Sequence, residues 1–223
     1  MSTMNFNPKD ILNNHLHPCH IRDKASRYVY MNLAMRELFN VPTGVPIEGK
    51  RLSEIKPDIS EFFEGLHQQE ERVIQKETSV SLLITAHFGK ETRLQPTIVD
   101  IHPFFDETGQ LVGTLAEARQ CQFFSLLDYI QGKSPKTLTT SLPNTMLTQR
   151  ELEIIFYGYQ GLSSKEVAKS LHLSRRAADN KLEGIDEKMG IHHQKGFRKY
   201  IQDSGLNQFI PQHLLASSIQ VID

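Results

Sequence analysis

The stretch SSKEVAKSLHLSRRAADNKLEGIDEKMGI, Ser163 to Ile191, leaves this chain few ways to fold. Ser163 followed three residues later by Glu166 is a capping box, in which each side chain satisfies an orphan backbone donor of the other. Val167, Ala168 and Leu171 then recur at helical spacing, which gives a short helix one apolar face. Leu171-His172-Leu173 is long enough only for a tight turn that keeps its leucine inside. Ser174 caps the next helix, on which Ala178, Leu182, Ile185 and Met189 fall on one stripe. Gly190 ends that helix, as a residue tolerant of positive φ should. A short capped helix, a small turn and a longer helix with a basic start make a helix-turn-helix, a device that places its second helix in the DNA major groove.

Charge limits how such a device can act here. Net charge is −1, with 13 basic against 16 acidic residues in positions 1–120 and 10 against 9 in positions 147–223. A DNA-binding half of that composition must gather its cations on one face, since it has no polybasic coat. Length suits two domains, and no apolar run approaches the roughly 18 residues of a membrane span. The opening MSTMNFNPKD lacks the order of a secretory signal. Cys19 and Cys121 stand far apart and form no disulfide framework. Together these features predict a cytoplasmic protein.

Read in order, residues 1–18 predict a helix or loose cap. HIRDKASRYVYMN predicts two short strands turning at Asp23 to Ser26, with Tyr28, Val29 and Tyr30 suited to a pleated surface. Asn32 to Asn40 predicts a helix, VPTGVPIEGK a loop, and Ile59 to Glu77 a long helix carrying Phe62, Phe63, Leu66, Val73 and Ile74. Ser79 to Phe88, Thr97 to Phe105 and Leu111 to Arg119 predict strands. The last two are joined through Asp106-Glu107-Thr108-Gly109, with Gly where positive φ is needed. Cys121 to Gln131 predicts an exposed apolar helix suited to the domain's own sheet or to a second subunit. GKSPKTLTTSLPNTM predicts a linker. Leu147 to Gly161 opens a second domain with a Thr148/Glu151 capping box, and Gln194 to Ser204 supplies its fourth helix.

Two strands, a helical middle and three antiparallel strands, in that order, resemble the PAS fold over about residues 10–120. The residues that carry the resemblance are Asp23, Asn32, Gly49-x-x-Leu52 and Asp106-x-x-Gly109-x-x-x-Gly113. From Leu147-Thr148-x-Arg150-Glu151 through Gly161-Leu162-Ser163-x-Lys165-Glu166-Val167-Ala168, Leu171, Ser174, Ile185, Lys188, Gly190 and Ile191, the sequence is similar to the LuxR-type DNA-binding domain. The expected fold is therefore an α+β PAS domain with a five-stranded antiparallel sheet, at residues 10–120. A helix and linker (121–146), an all-α four-helix LuxR-type domain (147–205) and a tail (206–223) follow. This architecture resembles bacterial cytoplasmic sensor-regulators, including quorum-sensing receptors for small pyrazine-type autoinducers. It implies a homodimer that binds double-stranded DNA and takes a small-molecule PAS ligand.

The candidate residues follow from charge and face. Lys165, Arg175 and Arg176 stand near helix starts, where phosphate is attracted and counterions are released. Asp179, Asn180 and Glu183 lie opposite the buried stripe and can reach base edges. Ser174 and Lys181 complete the set. Where the family has Thr-Val-(Lys or Glu)-x-His, this chain has Ala177-Ala178-Asp179-Asn180-Lys181, which removes a hydroxyl and adds an acidic group. That departure leaves open a second reading, an antagonist that dimerises with another regulator and binds no DNA. Inward PAS candidates for a ligand are Tyr30, Phe39, Phe63, Leu83, Ile98 and His102, of which Tyr30 and His102 have polar tips. His15-x-His17-Pro18-Cys19-His20 fits no common zinc spacing. His67, on the long helix, keeps haem as a third reading, although its neighbours Gln68 to Glu71 suggest a solvent face. No Gly-rich phosphate loop, HExxH or GxSxG is present, so the expectation is a protein that is no enzyme and holds no metal cofactor.

Overall fold

In the computed structural model, residues 8–56, 63–91, 93–123, 130, 132, 134–140, 146–190 and 194–222 are described. The chain divides into two units, one of residues 1–121 with 216–223 and one of residues 122–215.

The first unit is built on an antiparallel sheet whose hairpins follow from local side-chain chemistry. β1 (Cys19–Asp23) and β2 (Tyr28–Met31) turn where Asp23 Oδ1 accepts from the backbone N–H groups of Ala25 and Arg27, both at 2.9 Å, an Asx turn that leaves Ser26 at φ 57°. Asn32 caps α2 (Leu33–Leu38) by accepting from Met35 N–H at 2.9 Å. The same oxygen accepts from Cys19 N–H at 3.0 Å, and the amide nitrogen donates to His17 O at 2.9 Å. One buried amide thus fastens strand, helix and the approach to β1, which explains a polar side chain that is only 1% exposed. α1 (Pro8–Asn13), α3 (Leu52–Ile55) and α4 (Phe63–Lys76) complete the helices of this unit among the described residues.

β3 (Val80–Phe88), β4 (Arg93–Phe105) and β5 (Leu111–Gln120) form the rest of the meander. The order across the sheet is β2-β1-β5-β4-β3, followed at the β3 edge by β8 (Ser218–Val221). β1 lies against β5 so closely that a Cβ at Gly113 would sit 1.9 Å from Arg22 O, which makes glycine obligatory there. Alternation along β3 and β4 sends Leu82, Ile84, Val99 and Ile101 into a core with Tyr28, Met31, Met35 and Val73. The expected five strands are present, and a sixth joins them. Ser218–Val221, placed in a separate tail by the sequence reading, forms β8 and pairs antiparallel with β3.

The second unit is the expected helical domain. α5 (Gln149–Tyr159), α6 (Ser164–Ser170), α7 (Arg175–Met189) and α8 (Gln194–Asp203) surround a core of Leu152, Ile154, Ile155, Val167, Leu171, Ile185 and Ile201. Leu206 and Phe209 also belong to this core, so it extends past the expected boundary at residue 205. Part of the expected linker is ordered by pairing. β6 (Gln122–Phe123) pairs with β7 (Lys136–Thr137), and Thr139 exchanges backbone bonds with Gln208 and Ile210 at 2.9 and 3.0 Å. Most of the apolar helix expected over Cys121 to Gln131 lies outside the described residues.

Candidate nucleic-acid interface and ligand cavity

The helix pair α6–α7 is set by its caps. Ser163 N–H donates to Glu166 Oε2 at 2.8 Å and Ser163 Oγ accepts from Glu166 N–H at 3.4 Å, the reciprocal arrangement that the sequence predicts. The turn closes with His172 at φ 52° and Leu173 N–H donating to Ala168 O at 2.8 Å. Ser174 Oγ then accepts from Ala177 N–H at 3.2 Å and starts α7, which Gly190 ends in the left-handed region at φ 65°. Ala178 and Ile185 are fully buried, and Lys188 Nζ bonds Glu151 Oε1 at 2.6 Å, so α7 is held to α5 at its far end.

With its inner stripe fixed, the outer face of α7 follows from 100° per residue. Arg176, Asn180 and Glu183 fall on one exposed stripe, with Lys181 on one flank and Asp179, half-buried, on the other. Arg175 and Asp179 approach at 3.8 Å in an i,i+4 pair, which sets a cation against the acidic group that departs from the family pattern. Lys165 is exposed on α6 and shares a groove with Lys169 and Arg175. Lys169 escaped the sequence reading, although its position four residues after Lys165 places both on one helix face. The groove therefore gathers three cations, the concentration on one face that the nearly neutral composition demands.

The first unit encloses a cavity between the sheet and helices α2 and α4, with about 40 Å³ of room for water-sized occupants. Phe39, Leu66, Ile84, Val99 and Ala118 make its apolar wall. Its polar side is His20, Arg22 and Glu70, each no more than 5% exposed. Arg22 Nη1 donates to Glu70 Oε1 at 2.5 Å and its Nη2 donates to Tyr28 Oη. Burial opposes the charge of Arg22, but Glu70 and Tyr28 outweigh it and hold the guanidinium protonated. Burial, with the neighbouring Arg22 charge, pushes His20 well below the ordinary histidine range, so its ring is neutral. Both His20 ring nitrogens, Arg22 Nε and Glu70 Oε2 have no protein partner. An apolar box with unused donors and acceptors on one side is the form of a small-molecule site.

Of the expected ligand residues, Phe39 alone lines this cavity among those described. Strand parity explains the others. The inward set of β4 is Thr97, Val99 and Ile101, so Ile98 points to the opposite face, and His102 is exposed with its Nδ1 2.8 Å from Ser79 Oγ. Leu83 is likewise out of phase with buried Leu82 and Ile84. Tyr30 is turned outward and donates to Asn13 Oδ1 at 2.6 Å. The side chain of Phe63 lies outside the described residues. His67 spans Ser26 Oγ at 3.0 Å and Glu71 Oε1 at 3.3 Å. The residues missed, His20, Arg22 and Glu70, carried a signal in hindsight: His20 and Arg22 sit two apart on one strand face, and Glu70 shares a helix with Val73.

Comparison with known proteins places both units. Residues 13–122 match the PAS fold family, and residues 145–197 match the luxR family of bacterial regulatory proteins. The two matches follow one another along the chain, a PAS unit and then a LuxR-type helix-turn-helix unit. Over its whole length the fold is similar to that of VqmA from Vibrio cholera, solved in a complex with ligand and DNA. That likeness has a TM-score of 0.75 and 19% identity, over 99% of each chain. A structure of the Vibrio cholerae VqmA dimer in the absence of target DNA is similar at a TM-score of 0.50 and 19% identity, over 97% of this chain and 96% of that one. The Fimbriae Z protein of Escherichia coli strain K12 is 41% identical over 66 residues, which span 30% of this chain and 30% of that relative's length.

Proposed function

We propose that this chain is a sequence-specific DNA-binding regulator of transcription that acts as a homodimer and senses a small organic molecule in its PAS cavity. One observation carries the reading: α7 presents Arg176, Asn180 and Glu183 outward while Lys165, Lys169 and Arg175 gather beside its N-terminus. Base edges are read by groups such as the Asn amide, and phosphates by the cations that flank them. Two such units in a dimer read two half-sites, whose spacing follows the protein's two-fold. The VqmA complex with ligand and DNA, and the VqmA dimer, support this assembly for a chain of the same fold.

The chemistry of the cavity wall favours one class of ligand. A neutral His20 and a charge-balanced Arg22–Glu70 pair give a wall without net charge, so an ionised ligand would lose hydration and gain no counterion. Glu70 Oε2 takes a donor and Arg22 Nε supplies one, so the ligand is a small neutral molecule with a donor and an acceptor close together on an apolar frame. Among the described residues no helix is long and apolar enough to cross a membrane, and we place the protein in the cytoplasm as part of this reading.

The test is selection of duplexes from a random pool by the purified full chain. An enriched sequence with two-fold symmetry is the expected result. A pool that stays random at low salt removes the DNA reading and promotes the antagonist. Native mass spectrometry of the protein taken from its own cells should show a bound mass of a small organic compound. Stoichiometric iron or zinc would overturn the ligand reading.

A further inference from the structure

The chain leaves the PAS sheet after β5 and returns to it as β8, so the DNA-binding unit is tied to one sheet by two connections. The second connection is slight. β8 has four residues, of which Gln220 and Val221 are exposed and Ile219 is the one packed against the core. Its register is well defined: Leu82, Leu83, Ile84 and Thr85 face Val221, Gln220, Ile219 and Ser218. Ile222 N–H donates to Ser81 O at 2.8 Å, which makes that pair a bonded one. Antiparallel alternation then makes Leu83–Gln220 and Thr85–Ser218 bonded as well.

The anchor of β8 rests on the wall of the cavity. Ile219 is the cross-strand neighbour of Ile84, a cavity-lining residue, and cross-strand neighbours share a face. Toward α4 it seats on Gly65, where a Cβ would lie 3.0 Å from Ile219 Cδ1; the next residue, Leu66, lines the cavity. One side chain therefore touches both the strand and the helix that form the cavity's walls. A four-residue edge strand with one packed side chain is the kind of element that opens locally while the rest of a sheet stays closed. We propose that β8 is a releasable latch: the state of the cavity sets how firmly Ile219 is seated, and release of β8 frees one of the two connections of the DNA-binding unit. The inference rests on the regulator reading for its consequence and on the cavity geometry for its mechanism. Coupling of this kind is reciprocal, so whatever fills the cavity and firms the seat is itself held more tightly when β8 is docked.

Amide hydrogen exchange on the full chain tests the mechanism without DNA. Leu66→Ala, which loosens the wall beneath the seat, should speed exchange of the Gln220 and Ile222 amides at least tenfold. Ile47→Ala, a truncation in the same core at a residue that does not line the cavity, should leave them within twofold. Gly65→Leu, which fills the seat and leaves β8 intact, should speed the same amides at least tenfold and expose those of Leu83 and Thr85. Equal acceleration by Leu66→Ala and Ile47→Ala, or no acceleration by Gly65→Leu, overturns the latch. The consequence is read on the selected duplex. A chain ending at Ser217 should bind it at least fivefold more weakly, because a unit held by one connection surrenders more freedom on binding. Affinity within twofold of the full chain overturns the regulatory role. A full chain that selects no duplex refutes the regulator reading, and the exchange comparison then judges the latch alone.

Discussion

Glu70→Leu should be among the most damaging single changes in the PAS unit. Arg22 is 5% exposed and Glu70 2% exposed, and their 2.5 Å bond is the guanidinium's one contact with an opposite charge among the described residues. Removing the carboxylate leaves a buried cation beside the neutral Tyr28, which offers its hydroxyl and a ring face 4.3 Å from the guanidinium carbon but no opposite charge. Stranding one member of a buried pair costs roughly 3–5 kcal/mol, because the remaining charge keeps its full desolvation penalty. For a unit of this size each kcal/mol lowers the melting point by roughly 3–6 °C, so the PAS transition should fall by about 9–30 °C. The helical unit has its own core, so in calorimetry of the full chain its transition should stay in place. Arg22→Met with Glu70→Leu should recover most of the loss, since replacing both charges by apolar groups of similar size is close to neutral. A drop below about 1 kcal/mol for Glu70→Leu, or a double variant worse than the single one, would falsify the picture of a buried cation that depends on Glu70.

The other outcomes are more local. Asn180→Ala should flatten preference among variants of the selected duplex by roughly 1–3 kcal/mol and leave binding to scrambled DNA unchanged; equal loss on both sequences refutes base reading. Lys165→Ala should weaken every duplex alike and lower the slope of log affinity against log salt by about one, measured by titration from low to high salt. Gly113→Ala should destabilise the PAS unit by roughly 3 kcal/mol in urea, because its Cβ meets Arg22 O; a loss under about 1 kcal/mol shows that β1 and β5 can part cheaply. His20 has a lowered folded pKa, so between that value and the ordinary 6.5 the unfolded chain binds the extra proton. Its contribution therefore makes stability fall as pH drops below 6.5, with a slope approaching 1.4 kcal/mol per pH unit, and His20→Phe should remove that slope. An unchanged slope in His20→Phe would assign the acid loss to other groups.

The helical unit was legible because its signals are local and redundant. Ser163, Glu166, Ser174, Thr148, Glu151 and Gly190 each specify a helix end within four residues, and each makes the bond or backbone conformation that its residue type implies. The early hairpin was legible for the same reason, through Asp23 and its two backbone donors. β8 was not. Nothing within Ser218–Val221 names its partner, and Ile219 stands 135 positions after the Ile84 that it faces. Strand pairing at such separation depends on which sheet edge lies free after the rest has folded, and local sequence does not encode that.

The ligand cavity failed to appear in the sequence for a different reason. A strand buried on one face alternates, but β3 and β4 carry apolar residues in both phases: Leu82 and Leu83, Ile98 and Val99. Hydrophobicity then cannot choose the phase, and a choice wrong by one residue turns every side chain to the other face. The polar groups broke the tie in the structure. His102 faces solvent, and Asp100 bonds Ser81 at 2.5 Å and Arg119 at 3.2 Å on that same outer face, which sends Val99 and Ile101 inward by ordinary alternation. Burial follows that placement, with Val99 at 9% and Ile101 at 1% exposed. The polar wall was hidden by the opposite prejudice, that Arg and Glu belong outside. Arg22 and Glu70 stand 48 positions apart and neutralise each other at 2.5 Å, and the pair is admissible inside only because each is there. A functional polar site buried in a small domain thus leaves no trace in either residue alone; it exists in their distance.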